Sequence, residues 1–335
     1  MKAQPWIAVA LAAALGLGAG VALSAASRRP ADAILAELDG VKLPTGFLDE
    51  ANAKLLIEAC RRRADLELEL FETWPNHARV PSALSERWAY LENTFHEHDR
   101  VLSETEAVLA HRNPSRLASV ARRARAWSSV NAEHVAVDEC LRRIDAARPA
   151  ATDDEWTAAM LVQLASYRTV DPELQRSLCR RVVGSPKLPP ESRVDAEEWL
   201  TLVAKVGRPL ALDFDDVESK APASISEWKR RPVLVHVRRA SDWQPLQPPE
   251  LRAIEERHRD VRLVVAQVLI GKPETEFERW ERTLVAPDDG TLTGWDMRFG
   301  IRRTPLFLLA DAAGVLIGVS QALAPLEARL AAARH

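Results

Sequence analysis

The sequence predicts a multidomain chain. An N-terminal transmembrane or signal helix (residues 1–30) precedes an all-α helical array or bundle (31–206) and an α/β domain (207–335). Three observations carry this reading. Residues 6–26 are 21 positions without a charge, lying between Lys2 and the Arg28-Arg29 pair. Residues 31 to about 207 repeat apolar side chains at helical spacing with almost no strand signal. After that the periodicity gives way to short β-branched runs such as "PVLVHV" and "RLVVAQVLI".

As a helix the uncharged run spans roughly 30 Å, enough to cross a bilayer. The rival is a cleaved signal peptide, whose apolar core is shorter, about 7–15 residues, with small residues such as Ser24-Ala25-Ala26 at the cut. The expectation is an uncleaved anchor with the rest of the chain facing the periplasm or cell exterior, secretion after cleavage being the alternative. Positive charges at both ends leave the orientation open.

A chain of 335 residues, 47% hydrophobic and 28% charged, has room for two real cores. Its net charge of −3 points to no nucleic-acid partner. The arginine clusters Arg61-Arg62-Arg63, Arg122-Arg123, Arg142-Arg143, Arg180-Arg181 and Arg302-Arg303 read as solvated surface. Cys60, Cys140 and Cys179 are far apart, and each falls inside a helical pattern. Their spacing fits neither a zinc site nor a redox dithiol, so each reads as a buried small hydrophobe and no cofactor is expected. A single Cys60–Cys179 or Cys140–Cys179 disulfide stays open if the chain is exported.

Within the helical region, Leu84, Trp88, Leu91, Phe95, His98, Leu102 and Leu109 step by three, four and seven, as on one stripe of a long helix. A looser stripe runs through Leu55, Leu56, Ala59, Leu66 and Leu70. Pro75-Asn76 and Asn113-Pro114-Ser115 break helices. Thr152 with Glu155 reads as a capping box, Asp171-Pro172 starts a helix, and Gly184 ends it. About six or seven antiparallel helices with short connections result. "ELFETWPNHARVPSAL" resembles the joints of tetratricopeptide-like repeats, but no period of about 34 residues is sustained. His96 and His98 suggest a metal, yet two residues apart on a helix they point about 200° apart and cannot grip one ion. "DFDD" and "PDDG" lack calcium-loop spacing and read as turns.

In the last third, "PVLVHV" and "RLVVAQVLI" are strands, each followed by a helical stretch. "LFLLAD" and "VLIGVS" flank Ala312-Ala313-Gly314 as a hairpin, and "ALAPLEARLAAAR" is a closing helix. A parallel pair with a crossover helix, edged by an antiparallel hairpin, is an α/β sandwich.

Residues 206–335 resemble a thioredoxin-fold domain of the TlpA-like, envelope-facing kind. "GRPLALDFDDVES" is similar to that family's opening "GxPxPxF" strand, and "SISEWKRRPVLVHV" to its "LxxLKGKxVLVxF" run. "GWDMRFGIRRTP" is similar to the approach to its proline, and "LFLLADAAGVLIG" to its closing hairpin. In that family the strand ends in "WCxxC". Anchored on the strand, the two cysteine positions fall at Asp242 and Pro245; anchored on Pro249, they fall at Ser241 and Gln244. Both thiols are absent on either alignment. Exchange needs a thiolate to attack sulfur and a second thiol to resolve the mixed disulfide, and neither serine nor aspartate does that.

What the resemblance leaves is a surface. The residue before the family's cis-proline offers backbone groups to an extended peptide beside the active-site turn, and Thr304-Pro305 resembles that loop. The expected partner-binding residues are Ser241, Asp242, Trp243, Gln244, Thr304 and Pro305, with Trp243 either an exposed anchor or folded over the helix start. Trp88, Trp156, Trp199 and Trp228 read as core. The functional expectation is a membrane-anchored, redox-inactive platform for a protein or extended peptide. The alternative is a thiol–disulfide oxidoreductase working through Cys60, Cys140 or Cys179.

Overall fold

Among the described residues, nine α-helices fill residues 31–203, more than the spacing predicts, because the chain breaks where the apolar stripe runs on. The computed structural model describes residues 28–44, 50–110, 116–148, 154–210, 213–216, 222–224, 228, 230–239, 248–270, 283–286 and 304–332. The apolar run at 6–26 lies outside these, and no helix of the described residues is long and apolar enough to cross a membrane. Thr152 and Asn113-Pro114-Ser115 also lie outside them. Two units, residues 1–149 and 150–335, divide the chain.

The first unit holds α1 (Ala31–Gly40), α2 (Glu50–Thr73), α3 (Val80–Asn93), α4 (His98–Ala110), α5 (Ala118–Asn131) and α6 (Val137–Ala147). Leu66 and Leu70 of α2, Leu84, Trp88 and Leu91 of α3, and Val101 of α4 build its core. The expected single helix through residues 84–109 is two helices. The amide of Glu97 bonds Leu91 O at 2.8 Å, and His96 sits at φ 53, closing α3 in a left-handed turn. Histidine, with asparagine and aspartate, is among the residues that tolerate this region without a glycine. His96 and His98 therefore flank a turn, and their ring centroids lie 6.2 Å apart; the helical premise used against a metal does not hold. No cluster of three or more metal-ligating side chains forms among the described residues.

The looser stripe on α2 is also shifted. Leu55 is 54% exposed, while Cys60, Ala64, Leu66 and Leu70 are buried. The partner helix explains this: α1 meets α2 through Glu37–Arg62 and through Arg63, which bonds Leu38 O and Val41 O near the end of α1. At the centre, buried Arg87 donates from Nε and Nη2 to Glu104 at 2.9 and 2.7 Å and from Nη1 to Ala64 O at 2.6 Å. Trp88 Nε1 adds a bond to Glu104 at 3.1 Å.

The second unit begins with α7 (Glu155–Gln163), which runs into a π-turn, Leu164–Arg168. Its cap is Asp154, accepting from the Thr157 amide at 2.9 Å, rather than Thr152. α8 (Pro172–Val183) starts at Asp171 as expected and closes at Gly184, whose amide bonds Arg180 O at 2.8 Å. α9 (Pro190–Val203) follows. The sheet comprises β1 (Asp213–Asp216), β2 (Pro222–Ser224), β3 (Val233–Arg239), β4 (Val264–Ile270), β5 (Thr283–Ala286), β6 (Leu306–Ala310) and β7 (Leu316–Ser320). Its order is β2-β1-β5-β4-β3-β6-β7. β3 and β4 are parallel, joined through α10 (Pro248–Arg257), and β6 and β7 form the expected antiparallel hairpin. Asp311 Oδ1 accepts from the Ala313 and Val315 amides at 2.9 Å each, and Gly314 supplies φ 79 in that turn. Leu251 and Ile254 of α10, and Leu326 and Leu330 of α11 (Ala324–Ala332), cover one face through Leu234, Val265 and Leu309.

The first unit ends at residue 149, and within the second α7 and α8 are bonded to the sheet. Fully buried Gln175 of α8 has Nε2 within reach of Ala165 O at 2.9 Å, Thr169 O at 2.8 Å and Val319 O at 3.1 Å. Ser166 O lies in the last turn before Arg168, where helix carbonyls lack an intrahelical donor, and it accepts from the Gln321 amide at 2.7 Å and Ser320 Oγ at 3.0 Å. Gly318 leaves no room: a Cβ there meets Leu326 Cδ2 at 2.7 Å, with Val170 Cβ at 3.7 Å behind. Replacing Gln175 by leucine removes the two N–H donors shared among these three carbonyls and is expected to cost about 1–3 kcal/mol in urea unfolding. A cost below about 0.5 kcal/mol, the range of ordinary surface changes, contradicts the clamp.

Candidate functional site

In an open α/β sheet, ligands meet the carboxyl ends of the parallel strands. Here those ends belong to β3, β4 and β5, and the antiparallel β6 starts beside that of β3: Val237 pairs with Leu306. That register sets Thr304 and Pro305, both half-buried, at the carboxyl end of β3, next to Arg238 and Arg239. The Thr304–Pro305 peptide bond is cis, as the resemblance implies. Ser241, Asp242, Trp243 and Gln244 lie outside the described residues, in the stretch between the end of β3 and the start of α10. Two of the six expected residues are thus placed at the mouth of the sheet.

The strand also carries polar groups that the sequence reading passed over. Side chains alternate along β3, so His236 and Arg238 share the helix-covered face with Leu234. His236 is 1% exposed and pairs in register with Gln267 of β4 and Phe307 of β6. Its ring stacks on Phe307 at 4.8 Å between centroids, and Gln267 Nε2 lies 3.3 Å from Nδ1. With Gln267 donating, Nδ1 accepts and the ring hydrogen sits on Nε2. Burial, with buried Arg238 adding to it, pushes the imidazole down to about 3. It is neutral at ordinary pH and too weak a base to activate a nucleophile there. Its signal was legible: one histidine inside an otherwise apolar strand, "VLVHV".

The thiols are elsewhere. All three cysteines are free and buried, so neither considered disulfide forms. Cys179 sits on the covered face of α8, where burial pushes its thiol up to about 12. About one molecule in 10⁵ then carries the thiolate at neutral pH. Burial raises Cys60 as well, and the Cys140 thiol donates to Ser129 O at 3.1 Å.

No protein-family model matches the chain, and no curated protein does. Solved structures do. The thioredoxin domain of a thiol-disulfide oxidoreductase from Bacteroides vulgatus is 16% identical with a TM-score of 0.32, over 38% of this chain and 96% of that one. The exposed lipoprotein thioredoxin of Streptococcus pneumoniae is 15% identical with a TM-score of 0.25, over 37% and 98%. A thioredoxin-like protein from Bacteroides caccae is 12% identical with a TM-score of 0.36, over 88% and 98%. Identities this low assign no activity to the chain. Its own strand order and crossover make the architecture plain: a helical array and a thioredoxin-like α/β domain.

The buried imidazole has a measurable consequence. The unfolded chain takes up the His236 proton near pH 6.5, and the folded chain resists until about pH 3. The contribution of His236 is therefore complete above about pH 6.5 and falls as the pH drops toward 3, by at most about 1.4 kcal/mol per unit. His236→Gln is expected to flatten that acid limb in urea titrations. An unchanged slope shows that the ring is not the titrating group.

Proposed function

We propose that the chain is a redox-inactive, thioredoxin-like protein whose sheet mouth binds an extended peptide or a protein segment, held outside the cytoplasm by its N-terminal apolar segment. The observation that carries this reading is the cysteine inventory: the last is Cys179, so the α/β sheet and its connecting loops contain no sulfur nucleophile. The frame around that missing chemistry is kept, with β3, the crossover helix and the Thr304–Pro305 approach in register. A surface that has kept its shape and lost its reaction is suited to binding.

Thr304 and Pro305 edge the surface, and Ser241, Asp242, Trp243 and Gln244 follow β3 in the sequence. A tryptophan at position 243 is the kind of side chain that supplies the apolar area anchoring interfaces. The oxidoreductase reading requires Cys60, Cys140 or Cys179 to act, against the burial of all three and the raised thiols of Cys60 and Cys179.

Insulin reduction with dithiothreitol separates the two. The expected rate equals the uncatalysed one, with all three native thiols slow to label; turnover lost on Cys179→Ala establishes the enzyme instead. Photo-crosslinking from the sheet mouth in envelope extracts tests the platform. Wild type is expected to capture protein that Trp243→Ala loses, and identical capture by both removes this surface.

A further inference from the structure

The core of the helical unit holds more carboxyl groups than cations to neutralise them. Glu67 of α2 is fully buried, Glu92 of α3 is 6% exposed and Glu104 of α4 is 8% exposed. Arg87, the fully buried cation among them, is spent on Glu104 and Ala64 O. Glu104 is satisfied further by Trp88 Nε1 and by Arg100 Nε at 3.1 Å. Nothing comparable serves the other two.

Among the described residues, neither carboxyl oxygen of Glu67 accepts a hydrogen bond from a cation or a backbone amide, and the one side chain placed to share its proton is the Glu86 carboxylate. The groups facing it are Arg63 and Cys60 on its own helix and Glu86, Arg87 and Tyr90 on α3. Arg63 is already paired with Glu86 through Nη2 at 3.0 Å, and its Nη1 is turned to Leu38 O and Val41 O. Glu86 therefore favours the protonated form of Glu67 twice over, by its negative charge and by accepting the carboxyl proton in a hydrogen bond. Glu92 makes a hydrogen bond with the Ser128 hydroxyl of α5, and no charged group of the described residues bears on it. An isolated buried carboxylate costs several kcal/mol, so such a group sheds its charge by holding its proton.

We propose that Glu67 and Glu92 form a proton-operated latch in the helical unit, keeping α2, α3 and α5 packed while both carboxyls are protonated and loosening them when the protons leave. The latch needs no assumption about the α/β domain. Burial raises Glu92 to about 7 and, with Glu86 adding to it, Glu67 to about 8, which puts the transition near neutrality. The unfolded chain ionises both near 4.5. Their contribution to stability is therefore complete below about pH 4.5 and is lost as the pH rises through 7 and then 8. The direction is opposite to that of His236.

Amide hydrogen exchange of the full chain, corrected for intrinsic rates, reads the latch between pH 5 and 9. The opening constant of α2, α3 and α5 is expected to rise about tenfold per pH unit for each carboxyl still titrating. Glu67→Gln and Glu92→Gln, which imitate the protonated state, are each expected to remove one such increment. Infrared spectra of unmodified protein keep the test independent of whether the variants fold. A protonated-carboxyl band insensitive to backbone opening should be present at pH 6 and gone by pH 9.5. A flat opening constant across this range, no such band at pH 6, or the wild-type slope persisting in the double variant overturns the proposal.

Discussion

Everything in the α/β domain is hung on β3. Its first six residues are buried, it pairs in parallel with β4 on one side, and it pairs antiparallel with β6 on the other. Burying Val233, Leu234, Val235 and Val237 contributes about 6–12 kcal/mol by the usual scale of transfer energies. Placing a neutral, hydrogen-bonded histidine among them costs about 1–3 kcal/mol. The strand is therefore secure with His236 in it. Its register alone decides that Thr304 and Pro305 arrive where the chain leaves the sheet for α10. None of this depends on sulfur, and that is why a thioredoxin-like frame persists without a dithiol.

The helices preceding the sheet are bound to it by a second, polar constraint. Gln175 and Ser166 lie 144 and 154 residues in sequence from the β7 groups they bond, Val319 and Ser320. The helix ends at Arg168, which leaves the Ser166 carbonyl without an intrahelical donor and open to these bonds. The β7 edge is covered in part by the segment after α9, where the Gly207 amide bonds Leu316 O at 2.8 Å and the Leu316 amide bonds Arg208 O at 2.9 Å, with Gln175 of α8 reaching Val319 O.

Elements fixed by local pattern were readable in advance. β3 and β4 are continuous apolar runs because both faces are buried, and the β6–β7 turn announces itself through Asp311 and Gly314. Asp171-Pro172 and Gly184 marked α8 correctly. What escaped depends on partners far away in sequence. The break after α3 rests on a histidine in a glycine-like conformation, with the apolar stripe continuing across it. β5 is four residues long, too short to stand out, and is defined by its neighbours β1 and β4. Glu67 lies inside an alternating "LELEL" that reads as a surface rhythm, yet it is buried. At the mouth of the sheet, the proline approach was legible from the resemblance, while His236 and Gln267 required the strand register.

The account turns on whether any pair of thiols in the native chain exchanges electrons. Equilibrating the folded protein across a series of glutathione redox ratios, then weighing it intact after acid quenching, asks this directly. Three reduced thiols and one unchanged mass at every ratio are predicted. A loss of two hydrogens with a defined midpoint potential contradicts the account.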